Sequence, residues 1–240
     1  MRLSDFSVLT FDCYGTLIDW ETGICEAIAP WLERQGAAAS RDRILAAFAG
    51  AEAPQQKANP DMPYPDLLAR VHLKVAQELG AAPDAEAAAA FGRGVADWPA
   101  FPDSAAALAY LAQHYKLVIL SNVDRASFAH SNRKLGVTFD AVYTAQDVGS
   151  YKPDPRNFEY MLKQLAAQGI DRREILHTAE SLYHDHVPAK RQGLATCWIH
   201  RRAGQTGHGA TRAPGADVTP DFRFATLGAM ADAHRAEIGS

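Results

Sequence analysis

Asp12 stands where an apolar run, Val8 to Phe11, meets Cys13-Tyr14-Gly15-Thr16, and that order suits a nucleophile carried at a strand tip. A strand buried in a parallel sheet ends at the carboxyl edge, where open α/β sheets bind ligands. Gly15 lets the chain fold sharply around whatever Asp12 attacks. Taken alone, Asp12 could equally end an ordinary strand. Three later strand tips give it company. Ser121-Asn122 follow the run 117–120, Lys152 follows 141–144, and Glu180, Ser181 and Asp185 follow 175–178. All four tips lie on one edge of the expected sheet, so these groups should converge on one pocket. Each has a structural alternative. Ser121-Asn122 could cap the next helix, Lys152 could be an exposed turn residue before Pro153-Asp154-Pro155, and Glu180 with Asp185 could be a capping cluster. Their occurrence on successive strands in this order favours a site.

The elements that must hold these tips follow from periodicity. Beyond about residue 99, strands over 117–120, 141–144, 175–178, 196–199 and near 222–224 are interleaved with helices. These helices cover 105–114, which Asp103 can cap, about 125 to Gly136, a segment carrying Phe158, Met161, Leu162 and Leu165 on one face, and 183–192. Such βαβ crossovers predict an α/β fold, a doubly wound parallel sheet with helices on both faces. Residues 20–98 break the alternation with helices over 24–34, 40–49, 66–79 and 85–95. They read as a helical cap inserted after the first strand, giving a core of 1–18 and 99–240 and a cap of 19–98. The glycine-rich stretch 201–219 reads as a loop whose Arg201, Arg202 and Arg212 could bind an anion but are expected to be solvated.

Composition narrows the function classes. With 240 residues and 48% hydrophobic content the chain can bury a full core. Its 24 basic and 28 acidic residues leave a net charge of -4, which favours neither nucleic acid nor an anionic membrane. No apolar stretch approaches the roughly 20 residues that span a bilayer, and 1–5 show no signal-peptide pattern, so a cytoplasmic protein is expected. Cys13, Cys25 and Cys197 are far apart and lack zinc-site spacing, which suits a reducing compartment and buried thiols.

An Asp in FDCYGTL, a Ser-Asn after a strand, a Lys in YKPDP and an acidic pair before a helix resemble the haloacid dehalogenase superfamily. The resemblance covers nearly the whole chain and implies a Rossmann-like core with a mobile cap. The longer segments FDCYGTLIDWETGI, WPAFPD, HYKLVILSN, AQDVGSYKP and HTAESLYHDH resemble the type II 2-haloacid dehalogenase group, and most closely its azetidine-2-carboxylate hydrolases. Phosphatases of the superfamily resemble one another in an Asp two places after the nucleophile, acting as general acid. Here that place is Tyr14. A phenol, with a pKa of about 10, is a poor proton donor or base at neutral pH. Dehalogenase-like members carry an aromatic there and need no metal or other cofactor. The opposing reading is a magnesium phosphatase with Asp12, Glu180 and Asp185 as oxygen ligands. A non-catalytic small-acid binder is the third.

The mechanism implied is displacement at carbon. Asp12 attacks C2 of a small 2-substituted carboxylate, and water then releases a 2-hydroxy acid from the aspartyl ester. Lys152 would keep Asp12 ionised. Ser121, Asn122 and backbone N–H groups near Tyr14 and Gly15 could hold the substrate carboxylate. Thr16 and Ser181 could position Asp12 or the oxyanion, and Asp185 or Glu180 could activate water. Departures from the dehalogenase pattern matter as much. The arginine that those enzymes present to halide falls at Phe48-Ala49-Gly50, and Arg41 and Arg43 stand at a different spacing. The tyrosine after the motif lysine is Phe158, and the fourth motif's Ser-Asn is replaced around Glu180-Ser181-Leu182. Glu180 would suit a ring ammonium as leaving group, which favours azetidine-2-carboxylate over a 2-haloacid. Trp20, Phe48, Gln55 and Gln56 could complete the pocket or simply be cap core. His184 and His186, two places apart on a helix, cannot easily share one metal ion; His184 could stand behind the acidic pair. A homodimer is common among proteins with this resemblance.

Overall fold

Val8–Phe11 (β1) is buried from end to end because it is paired on both sides. The computed structural model describes residues 1–239. Its sheet also contains Lys116–Ser121 (β2), Ala141–Thr144 (β3), Ile175–Ala179 (β4), Ala195–Ile199 (β5) and Phe222–Phe224 (β6). All pairs are parallel, in the order β3-β2-β1-β4-β5-β6. Phe11 lies opposite both Ile119 and Thr178, and β2 and β4 run on only to Ser121 and Ala179, so the three strand tips lie close together just beyond Phe11.

Side chains alternate across β1, which commits one face to each of two apolar layers. Leu9 and Phe11 join the larger core, while Val8 packs with Val118, Leu120, Phe158, Met161 and Ala189 on the other face. Pro155–Ala167 (α8) covers that second face with Phe158, Met161 and Leu165, the stripe expected from its spacing. The helices in chain order are Trp20–Arg34 (α1), Arg41–Ala58 (α2), Tyr64–Glu78 (α3), Ala85–Arg93 (α4), Ser104–Leu111 (α5), Arg125–Leu135 (α6), Ala145–Val148 (α7), α8, Val187–Arg191 (α9) and Leu227–Ile238 (α10). The expected α/β doubly wound parallel sheet is the fold observed.

Helices α1 to α4, which follow β1, pack on one another, and their apolar residues continue the core of the sheet. Tyr14, Trp20 and Trp98 link Leu9 and Phe11 to Phe48, Leu67 and Val71. Gly23 makes this approach feasible: a Cβ there would lie 2.1 Å from Trp98 Cδ1. The segment joins the sheet through two adjacent crossings. Ile18 and Ala100 form an antiparallel bridge, Asp19 N donates to Pro99 O at 2.8 Å, and Phe101 N donates to Leu17 O at 3.0 Å.

Several local expectations are corrected. Helix α2 runs beyond residue 49, through Pro54, to Ala58. A proline inside a helix removes one backbone bond, and α2 tolerates that loss. The helix expected over 183–192 is not one α-helix: a π-helical turn, Leu182–His186, leads into α9. Asp103 does not cap α5 with its side chain, which instead meets Arg201 at 2.7 Å and accepts from Gly228 N at 2.9 Å. Among the described residues no helix is long and apolar enough to cross a membrane. Cys13, Cys25 and Cys197 are buried free thiols.

Candidate active site

At the common tip of β1, β2 and β4 one ammonium holds two carboxylates. Lys152 Nζ donates to Asp12 Oδ1 at 3.0 Å, to Asp185 Oδ1 at 2.6 Å and to Leu120 O at 2.8 Å, which uses its three protons. Its side chain is 1% exposed. Such a chain can be buried only because charged and carbonyl acceptors replace water. Asn122 sets the Lys152 backbone in place by accepting from Lys152 N at 2.7 Å and donating to Lys152 O at 3.0 Å. Burial, opposed by Lys152 and reinforced by Asp185, pushes the Asp12 carboxyl up to about 6, so it is ionised at neutral pH. Burial would lower Lys152, but its two carboxylates raise it. Burial would also raise Asp185, yet Lys152 and His177 hold it well below the usual carboxylate range.

Thr16 orients the second oxygen of Asp12. Its hydroxyl donates to Asp12 Oδ2 at 2.9 Å and accepts from Glu180 N at 2.9 Å, so its single proton is committed to Asp12. The turn that brings Thr16 back needs Gly15, whose φ of 91° is left-handed and whose N–H donates to Ile18 O at 2.8 Å. That N–H is therefore spent within the turn rather than offered to a substrate carboxylate. Asp185 is backed by His177, whose Nε2 lies 3.0 Å from Asp185 Oδ1 and whose Nδ1 lies 2.9 Å from Thr10 Oγ1. Burial keeps His177 neutral, with Nε2–H the donor to the carboxylate. Asp185 Oδ2 is buried without a hydrogen-bond partner among the described residues.

Asp12 opens on a cavity of about 30 Å³. Tyr14, Asn122, Lys152, Ser181, His184 and Asp185 line it from the strand tips, and Trp20, Glu52, Gln56 and Tyr64 from the helices opposite. Tyr14 is walled by Trp98 at 5.5 Å between ring centroids, and its hydroxyl lies 3.0 Å from Ser131 Oγ. Burial pushes its phenol well above the ordinary value, so it is a neutral wall. Ser181 Oγ accepts from His184 N at 3.0 Å and lies 3.2 Å from His184 Nδ1, while burial lowers His184 to about 4. His184 Nε2 is buried and unpartnered among the described residues.

Other expected residues lie elsewhere. Glu180 brings its backbone, not its carboxyl, to Thr16; its side chain lines neighbouring cavities with Arg202, where burial and Glu21 push it up to about 8. Phe48 does not line the Asp12 cavity but packs edge-on against Trp20 at 5.5 Å as part of the helical core. Gln55 is buried outside that cavity, and Ser121 Oγ is buried without a partner among the described residues. No arginine lines the cavity among the described residues. His186 Nε2 lies 2.9 Å from Ala179 O, separate from His184. Among the described residues no three His, Cys, Asp or Glu side chains meet closely enough to hold a metal ion. Asp12, Asp185 and Glu180 do not form one donor set for magnesium, because Glu180 lines other cavities.

Arg201 is not solvated as its loop suggested. Its Nε and Nη2 donate to Thr16 O at 3.1 and 2.9 Å, and its side chain is 6% exposed beside Asp103. Arg202 pairs with Glu21 at 2.5 Å. Arg201→Ala is expected to destabilise the fold by about 2–3 kcal/mol, the scale of losing hydrogen bonds to a charged group. It should also slow catalysis by loosening Thr16. Urea unfolding and kcat measured together test this, and Arg201→Lys should lose less of both.

A sequence model for haloacid dehalogenase-like hydrolases matches residues 6–178, and the chain belongs to that family of hydrolases. The defluorinating L-2-haloacid dehalogenase Rha0230 is 21% identical with a TM-score of 0.77, the match covering 100% of this chain and 99% of that one. The L-2-haloacid dehalogenase from Xanthobacter autotrophicus, with chloropropionic acid covalently bound, is 20% identical with a TM-score of 0.76, covering 96% and 98%. At these identities the likeness concerns the fold. Pyrimidine 5'-nucleotidase YjjG from Escherichia coli K12 is 34% identical over 62 residues, which are 26% of this chain and 27% of that one.

Proposed function

We propose that the protein hydrolyses a small 2-substituted carboxylic acid by displacement at carbon, as a member of the type II 2-haloacid dehalogenase group. Its lead substrate is L-azetidine-2-carboxylate, opened to 2-hydroxy-4-aminobutyrate. The observation that carries the displacement reading is the Asp12–Lys152–Asp185 arrangement on a cavity whose phosphatase-acid position is the neutral, buried Tyr14. Asp12 attacks C2 and forms the ester. A water held by the open Asp185 Oδ2 then attacks Asp12 Cγ. So acidic a carboxylate orients that water more than it removes its proton. Thr16 stays hydrogen-bonded to the ester oxygen, and Asn122 fixes the Lys152 loop. Residues 19–98 act as the cap over the core 1–18 and 99–240. The cavity of about 30 Å³ is too small for the acid as it stands, so the substrate enters when the cap shifts. A larger groove shares Gln56 and Lys152 with it and is lined by Lys57, Arg156 and Arg212, a route suited to an anionic substrate. The absence of arginine from the described cavity lining favours an amine over halide as leaving group.

The test is mass-spectrometric product analysis in EDTA with L-azetidine-2-carboxylate and, separately, L-2-chloropropionate. Hydroxyaminobutyrate from the first alone is the expected result. Lactate and chloride from the second alone would assign halide as the leaving group. Silence on both, with magnesium-dependent release of phosphate from nucleotides, would replace this reading with a phosphatase.

A further inference from the structure

Displacement at a tetrahedral carbon is in line, so the bond that breaks points away from the attacking oxygen. With Asp12 at the strand tips, the departing group must face the opposite wall, formed by Trp20, Glu52, Gln56 and Tyr64. Glu52 is the acidic member of that wall. It is 3% exposed, accepts from the Tyr64 hydroxyl at 2.8 Å, and has no cationic partner among the described residues. A buried carboxyl in this state is costly to ionise, and burial pushes it up to about 8 against the Tyr64 bond. A ligand cation would complete it. A departing halide would instead gain negative charge beside an acid.

We infer that Glu52 is the specificity-determining residue on the leaving-group side of the Asp12 site, where its carboxylate, held by Tyr64, receives a cationic amine attached to C2 of the substrate acid. This rests on the displacement reading above and names the leaving-group chemistry that the site selects. An Asp12 oxygen bonds to C2 while the C2–N pair passes to the ring ammonium nitrogen, which departs as a neutral primary amine tethered to the product chain. In the second step water leaves its oxygen in Asp12, one of its protons goes to the product hydroxyl, and the other goes to the amine.

The deciding experiment measures binding without turnover. In an Asp12→Asn background, calorimetry compares L-azetidine-2-carboxylate with cyclobutanecarboxylate, the same ring with carbon in place of the charged nitrogen. The amine acid should bind at least about tenfold more tightly, the scale of one hydrogen bond to a charged group. Adding Glu52→Gln, which can still accept from Tyr64, should bring the ratio close to one by weakening the amine arm alone. Tyr64→Phe should lower the same ratio in part, and it decides the matter if the Glu52 variant fails to fold by circular dichroism. A ratio unchanged by these variants, no preference in the parent, or no binding of either acid overturns the assignment. Turnover by the unmodified enzyme separates the two claims. Ring opening with a Glu52-independent ratio keeps displacement and removes Glu52, whereas a Glu52-dependent ratio without ring opening removes displacement and keeps the amine site.

Discussion

Asp12→Asn is expected to lower kcat by at least about 10⁴-fold, the scale of removing a nucleophile that works within a unit, while the protein stays as stable or becomes more so. The two effects have one electrostatic origin. Two buried carboxylates face a single ammonium, leaving one uncompensated negative charge. An amide at residue 12 can still accept from Lys152 through its one oxygen and turns its NH2 to the Thr16 hydroxyl, and it leaves a neutral ion pair of Lys152 and Asp185. Paired kcat and thermal-melt measurements check both signs. An unaltered kcat would remove Asp12 from the chemistry, and retained acid binding without turnover separates an enzyme from a binder. In the unmodified enzyme, a single turnover in heavy-oxygen water should place the label in Asp12 and not in the product hydroxyl, because the ester hands its own oxygen to the product.

Lys152→Ala should behave in the opposite way, losing stability and activity together. Without its ammonium, Asp12 and Asp185 are two buried acids with no cation between them, and Leu120 O loses a donor. Breaking a buried pair by removing one partner costs about 3–5 kcal/mol. Folding should therefore become strongly acid-favoured, since protonating either carboxyl relieves the repulsion. Urea melts at pH 5 and pH 8 should show the gap from the unmodified protein widening at the higher pH. An equal deficit at both would show that the loss is one of packing alone.

The strand tips were legible because their signal is local. An apolar run followed by Asp12, Ser121 or Ser181 announces both the strand and its end, and parallel pairing then brings those ends together. Glu52 was hidden for a comparable local reason. Gly50 and Pro54 interrupt the helical pattern, so α2 reads as finished at residue 49 although it continues to Ala58. Its role depends on which face of that continuation meets the sheet. His177 lies within an apolar strand and gains meaning only through Thr10 beside it and Asp185 beyond it. Arg201 looked solvated in a glycine-rich loop because its partner, Thr16 O, lies far away in sequence. Glu180 shows the converse error: the right position in the chain supplies a backbone N–H, while the side chain leaves in another direction.

The two crossings at Ile18 and Ala100 give the helical segment a divided character. Its ends meet side by side, so a short turn could replace the whole insertion with little loop-closure cost. In connectivity it is a module that a gene could acquire or lose in one event. In energy it is not a module, because Trp20, Phe48, Leu67 and Trp98 share one uninterrupted apolar cluster with Leu9 and Phe11. Excision would strip cover from the sheet and expose a sticky surface. New substrate preferences are therefore more accessible by exchanging side chains on α2 and α3 than by exchanging the insertion itself.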